Sequence, residues 1–325
     1  LRLRMSMSKM TPVELSLVVP VKDEEDAIPV FLARVIPLIE KLDDPAARSF
    51  EIIFIDDGSS DSTLEVLRAA HAADARVRAV SLSRNFGKEA ALSAGLDRAA
   101  GLAVIPMDVD LQDPPETIAP MLAKWRAGFD VVYGVRDNRE SDSLPKRLTA
   151  DLYYRAHNWL SQDKIPEHAG DFRLLDRRVV EVIKAMPERN RFMKGLFAWA
   201  GFKSSAVLYH REERKVGTTK FNYWKLWTLA VDGITSASTV PLRVWSYLGG
   251  AVALFALGYA IFIVVRTLTS GIEVPGYASM MVAVLFLGGL QLFSLGVLGE
   301  YVGRILTEVK HRPLYVVRET VGEVD

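Results

Sequence analysis

The sequence predicts an α/β domain built on a mostly parallel sheet, followed by an amphipathic helix lying in a membrane interface and a two-helix transmembrane hairpin. Three observations carry that prediction. Between Leu15 and Met107, short β-branched apolar runs alternate with helical stretches, the pattern of parallel strands covered on both faces. Each run ends in a polar cluster, as expected where strands deliver loops to one carboxyl edge. Further on, two stretches nearly free of charge, Val244 to Val265 (about 22 residues) and Val274 to Gly299 (about 26), exceed the ~20 residues that cross a hydrocarbon layer. The expected division is 1–220 for the α/β domain, 221–240 for the interfacial helix, and 241–325 for the hairpin, with spans at about 244–266 and 275–299 and a C-terminal tail.

Composition narrows the function classes. Forty Lys and Arg balance 40 Asp and Glu across 325 residues, so no global field recommends nucleic acid as a partner. The absence of cysteine excludes disulfides, thiolate metal sites and a Cys nucleophile, and fits a soluble part in a reducing compartment. No apolar signal-peptide core precedes Glu14, so none is expected.

The elements follow in order. Leu15 to Val21 is a buried strand that ends in Lys22-Asp23-Glu24-Glu25-Asp26, and a helix runs from there to about Leu42. Glu51 to Ile55 is the second strand, ending in Asp56-Asp57-Gly58-Ser59-Ser60-Asp61, with a helix over 62–73. A strand at Val77 to Leu82 leads to Arg84-Asn85-Phe86-Gly87-Lys88 and a helix from Lys88 to Ala99. The fourth strand, Leu102 to Met107, releases Asp108 and Asp110. Four polar loops converging on one edge point to a nucleotide-type site. Neither GxGxxG nor GxxxxGK[ST] occurs, which excludes the dinucleotide and P-loop versions.

Asp108 and Asp110, one residue apart after a buried strand, are positioned to share a hard cation with the Gln112 carbonyl; the alternative is that they cap the next helix. Asp113, before Pro114-Pro115-Glu116, reads as such a cap. A strand from Asp130 to Val135 releases Arg136. The 141–163 segment, with Lys146, Arg147 and Arg155, reads as an amphipathic helix. Gly170 to Arg178 reads as a loop containing Asp171 that enters a helix capped by Asp176. A short strand, Ala206 to Tyr209, precedes the basic loop 211–220 with Arg211 and Arg214.

From Phe221, an apolar stripe through Trp224, Trp227, Val231 and Ile234 predicts a helix in the membrane interface, where Trp is favoured. Basic residues flank the hairpin outside (Lys215, Lys220, Arg243, Arg304, Lys310, Arg312) and only Arg266 lies in its short link. By the positive-inside rule, the α/β domain and both termini are expected on the cytoplasmic face of the inner membrane. Gly288, Gly289, Gly296, Gly299 and Gly303 allow close helix contact, within the hairpin or in a homo-oligomer.

Together these features predict a transferase that moves a group from a nucleotide-linked donor to a lipid acceptor. Mg²⁺ or Mn²⁺ on Asp108, Asp110 and Gln112 would offset charge on the departing diphosphate. A lipid monophosphate carries about −1.5 to −2 charges near neutral pH, so it needs positioning rather than a base. Arg136, Arg147, Arg211 and Arg214 suit that task, and two or three of the four are expected on the acceptor, with the rest on anionic headgroups.

The chain resembles the membrane-anchored family 2 glycosyltransferases that load a sugar onto polyprenyl phosphate, the dolichyl-phosphate mannose synthase class, and looks most like its bacterial GtrB-like branch acting on undecaprenyl phosphate. The resemblance is carried by Val19-Pro20 with Glu24, Asp56-Asp57-Gly58-Ser59, Ser83 to Glu89, Asp108-Val109-Asp110-Leu111-Gln112-Asp113-Pro114-Pro115, Gly170 to Leu174, Arg191 to Gly195, and Leu298 to Arg304. It implies a Rossmann-like GT-A fold, a divalent metal, inversion at the anomeric carbon, and a β-linked sugar phospholipid made from a nucleotide sugar, with UDP-glucose the expected donor. By matching position, Pro20, Glu24, Asp56, Asp57, Lys88 and Asp108 surround the nucleotide sugar, and Arg136, Arg147 and Arg214 lie near the acceptor phosphate. Asp110 and Asp171 are the catalytic candidates, with Asp171 read as positioning the donor sugar or an arginine. Lys22-Asp23 stands where the family commonly has Tyr-Asn. Rival expectations are GDP-mannose or a UDP-amino sugar as donor, or a polysaccharide synthase, although the QxxRW motif of that class is absent.

Overall fold

The computed structural model describes residues 13–136, 169–189, 191, 193–210, 240–270 and 276–322. Its centre is an eight-stranded sheet in the order β7-β5-β6-β4-β1-β2-β3-β8. The first four strands are β1 (Leu15–Val21), β2 (Phe50–Asp56), β3 (Val77–Leu82) and β4 (Ala103–Pro106), all mutually parallel. Their helices are α1 (Ala27–Glu40), α2 (Thr63–Ala73), α3 (Lys88–Arg98) and α4 (Ile118–Arg126). β1 and β2 are buried along nearly their whole length because both faces are covered, so they show no polar alternation.

Side chains divide between two cores. Leu17, Val19, Ile52 and Phe54 face α1 and α4, where Phe31 meets Phe54 edge-on with ring centroids 5.8 Å apart. Val18, Ile53, Ile55 and Val80 face the other layer, with Ala91 and Leu92 of α3 and Val179 and Ile183 of α5 (Arg177–Ala185). Gly95 of α3 lies so close to β1 that a Cβ there would collide with the Val18 side chain.

The remaining strands are β5 (Val131–Arg136), β6 (Ala169–Asp176), β7 (Ser204–Tyr209) and β8 (Val317–Val321), with α6 (Met193–Trp199) between β6 and β7. β6 is antiparallel to both β4 and β5, and β7 is parallel to β5. Among the described residues, four of the seven ladders are parallel.

Two expectations are corrected, and one element is added. Asp171 lies in strand β6 instead of a loop, because Phe172 and Leu174 alternate with Arg173 and Leu175 across the sheet. A buried arginine in the alternation hides the strand; Asp176 does cap the helix behind it, accepting from the Arg178 N–H at 2.9 Å. Asp113 is not the N-cap residue: the turn at Pro115–Thr117 has Pro114 at that position, and Asp113 accepts from Tyr209. The tail beyond the hairpin returns as β8, antiparallel to β3 at the sheet's outer edge.

Two long helices, α7 (Val240–Ser270) and α8 (Tyr277–Val309), include nearly all of the predicted spans and touch through Trp245 and Phe293, centroids 5.0 Å apart. α8 continues beyond Gly299, and Glu300 and Arg304 pair along it at 3.1 Å. Among the described residues, Phe286–Val309 is the segment long and apolar enough to cross a membrane. The predicted helices at 141–163 and 221–240 fall on residues outside the described set, save Val240 at the start of α7.

Candidate active site

The loops after β1 and β2 are stitched together. Asp23 adopts a left-handed φ of 55°, donates its N–H to Ser59 Oγ at 2.9 Å, and accepts from the Ser60 N–H at 2.7 Å. That backbone N–H holds the Asp23 carboxyl below the usual carboxylate range, against partial burial, with Lys22 assisting. The Glu24 N–H donates to Thr63 Oγ1 at 3.0 Å, and Glu25 accepts from the Ser62 N–H at 2.8 Å. Pro20, paired with Ile55, is the penultimate residue of β1, just before this loop.

Asp56 and Asp57 are buried, and their oxygens shape the neighbouring loops. Asp56 accepts from the Ser59 N–H at 2.9 Å and from Ser81 Oγ at 2.8 Å. Asp57 accepts from the N–H groups of Phe86 and Gly87 at 2.7 and 2.9 Å, which sets the third loop. Gly58, at φ 67°, is required between them: a Cβ would lie 2.5 Å from the Arg84 carbonyl carbon.

The third loop ends at Lys88, whose ammonium contacts both Asp108 oxygens, at 2.8 and 2.9 Å. Both side chains are nearly half exposed. Asp110 Oδ1 accepts from the Gln112 N–H at 3.1 Å, and this turn passes through Leu111 at φ 57°. A left-handed non-glycine residue costs on the order of 1–3 kcal/mol, and burial of the Leu111 side chain holds it there. Oxygen donors from Asp108 and Asp110 match a hard cation, and the Lys88 ammonium on Asp108 marks a position already electrostatically suited to positive charge. Two carboxylates and a carbonyl leave room in a shell of about six ligands for diphosphate oxygens.

On the other side, Tyr209 at the end of β7 donates its hydroxyl to Asp113 Oδ1 at 2.6 Å and accepts from Arg136 Nε at 3.3 Å. Burial, and then the Asp113 charge, push the phenol above its usual range, so it stays protonated and donates. Its ring packs edge-on against Phe172, centroids 5.9 Å apart, in space left by Gly134, where a Cβ would fall 2.7 Å from the ring. Tyr209 is a residue that sequence reasoning missed. The available signals were an aromatic with a polar tip at the end of a strand, and a glycine inside the paired strand, which marks a close approach.

Because β6 is antiparallel to β4, its N-terminal end lies at the carboxyl edge of the parallel strands. Past Arg173, β6 runs through Asp171 to Ala169, which pairs with Val135 near the end of β5, so the Asp171 backbone lies toward that edge. Further along β6, buried Arg173 places its guanidinium 4.3 Å from the centre of the Phe197 ring. The structure thus gathers Glu24, Asp56, Asp57, Lys88, Asp108, Asp110, Gln112, Arg136 and the Asp171 backbone at one edge. Arg147, Arg211 and Arg214 lie outside the described residues.

A family model described as glycosyl transferase family 2 matches residues 16–184, and one described as the GtrB C-terminal hairpin matches residues 240–305. An uncharacterized glycosyltransferase of Synechocystis is 52% identical over 310 residues, covering 95% of this chain and 96% of its own. The bactoprenol glucosyl transferase of Shigella phage SfII is 51% identical over 307 residues, covering 94% and 98%. An Escherichia coli protein named prophage bactoprenol glucosyl transferase homolog is 50% identical over 305 residues, covering 94% and 98%.

Proposed function

As this chain belongs to glycosyl transferase family 2 and is a glycosyltransferase, we propose that it transfers glucose from UDP-glucose to a polyprenyl phosphate at the cytoplasmic face of the membrane. Relatives named for glucosyl transfer to bactoprenol, at about half identity along nearly the whole of both chains, support the acceptor class and the sugar. The observation that carries the proposal from the structure is topological. β7 ends at the carboxyl edge, and β8, which follows the hairpin, enters the sheet there, since Val317 pairs with Leu82 at the end of β3. The edge bearing Asp108, Asp110 and Arg136 is therefore the edge at which the sheet strands on either side of the hairpin in sequence end and begin, which supports a lipid acceptor.

In the proposed reaction, a lipid phosphate oxygen attacks the anomeric carbon, the bond from that carbon to the diphosphate breaks, and configuration inverts. Asp108, Asp110 and the Gln112 carbonyl would hold Mg²⁺ or Mn²⁺, which offsets the charge of the leaving diphosphate. Lys88, already on Asp108, supplies a second positive group there. The acceptor is ionised before it binds, so Arg136, with Arg147, Arg211 and Arg214, has to align it rather than deprotonate it. Asp171, at the same edge, is assigned to positioning the sugar or one of these arginines.

The test incubates the purified full chain with undecaprenyl phosphate and a panel of UDP- and GDP-sugars. A single lipid-linked glucose from UDP-glucose is expected. Polymer formation, or no lipid-linked product with any donor, would refute the proposal; product with another sugar would refute the donor assignment alone.

A further inference from the structure

The Tyr209 side chain joins the loop after β4 to the end of β5. Its hydroxyl stands between Asp113 at 2.6 Å and Arg136 Nε at 3.3 Å. Asp113 closes the Asp108-Val109-Asp110-Leu111-Gln112-Asp113 segment assigned to the donor diphosphate, and Arg136 is assigned to the acceptor phosphate. β5 and β7 pair Arg136 directly with Tyr209, so the two residues are register neighbours at the end of the ladder.

The tyrosine is fixed from every side. It is 4% exposed, meets Phe172 edge-on, and fills the space at Gly134, where any larger residue would displace its ring. A ring so confined keeps its hydroxyl in one place, and the hydroxyl can serve an acceptor and a donor at once. It thus transmits the position of the carboxylate loop to the arginine.

We infer that Tyr209 is a positioning residue that aligns the two phosphates by holding Arg136 against the Asp113 end of the donor loop; this rests on the function proposed above. Transfer requires the attacking oxygen and the leaving diphosphate to lie on opposite sides of one carbon, and small misplacements of oriented groups cost large factors in rate. Two anions brought close repel each other, so an arginine left to rotate would settle on either phosphate. Anchoring Nε to a tyrosine that is itself anchored to Asp113 removes that freedom.

Tyr209→Phe keeps the ring, its packing and its edge contact while deleting the hydroxyl. Steady-state transfer to polyprenyl phosphate is measured for wild type, Tyr209→Phe, Arg136→Ala and the double variant, with melting temperature and UDP affinity recorded for each. The expected result for Tyr209→Phe is an acceptor KM raised by about 10- to 100-fold, consistent with losing the hydrogen bond to the Arg136 guanidinium, with UDP affinity within about twofold. The double variant should match Arg136→Ala, since the tyrosine acts through that arginine. An unchanged acceptor KM in Tyr209→Phe, or losses in the double variant that multiply, would overturn the assignment. A lowered melting temperature with donor and acceptor KM equally affected would reduce Tyr209 to a packing role. Absence of transfer by the wild type would refute the proposed function and this role with it, whereas wild-type transfer with a normal acceptor KM in Tyr209→Phe refutes the role alone.

Discussion

Asp110 carries the least ambiguous expectation at the scale of single residues. Its Oδ1 accepts from the Gln112 N–H at 3.1 Å, a bond that asparagine can also accept, so Asp110→Asn keeps the turn while removing a charge. Turnover is expected to fall at least ~100-fold, the range seen when a group that stabilises developing charge is removed, with an unchanged melting temperature. Equal turnover would remove Asp110 from the site. Lys88 permits a test that needs no turnover. Its ammonium lies on both Asp108 oxygens, where it competes with any cation for that carboxylate. Lys88→Met should therefore bind Mn²⁺ without nucleotide several-fold more tightly than wild type, read by paramagnetic relaxation of water or by calorimetry. Weaker or equal binding would show that Asp108 and the cation do not meet.

At the scale of elements, three loops behave as one body because each is hydrogen-bonded to the next. Asp23 joins the first to the second, Asp57 joins the second to the third, and Gly58 lets their backbones touch. Gly58→Ala adds a left-handed penalty of about 1–2 kcal/mol and forces the Arg84 backbone aside. A melting temperature lower by several degrees and a donor KM raised more than the acceptor KM are expected; an effect confined to the acceptor would place the third loop elsewhere. This same region explains what could be read in advance. β1 to β4 were legible because strands buried on both faces are continuous apolar runs, and their ends named the edge where Asp56, Asp108 and Asp110 gather. β6 was not, because buried Arg173 breaks the apolar pattern and the Asp176 cap extends a helical signature upstream. Whether Asp113 caps a helix or accepts from Tyr209, 96 residues later, depends on a long-range contact that no local pattern contains. β8 escaped because Val317-Arg318-Glu319-Thr320-Val321 is a strand only when an unpaired edge awaits it.

At the scale of the whole molecule, that last strand changes how the hairpin is held. The sheet order puts β7 at one edge and β8 at the other, so the hairpin is tied to both outer strands of the same sheet. The return path is fastened at several points. Glu308 near the end of α8 accepts from the Arg189 N–H at 3.0 Å, Tyr315 donates to Asp97 at 2.7 Å, and Glu319 pairs with Arg68 at 2.7 Å. The Ser83 N–H donates to the Val316 carbonyl at 2.8 Å, directly before the loop of Arg84 to Lys88. Tyr315 and Val317 also pack against the core that backs α3. A chain ended after Arg312 would expose the edge of β3, uncover that apolar surface and release the start of the nucleotide loop. The expected outcome is a lower melting temperature together with a donor KM raised several-fold. Tyr315→Phe should cost only about 1 kcal/mol of stability, the worth of one hydrogen bond, and leave both KM values near wild type. If the truncated chain kept its melting temperature and its donor KM, the hairpin would be held through β7 alone, and β8 would be no part of what sets the nucleotide loop.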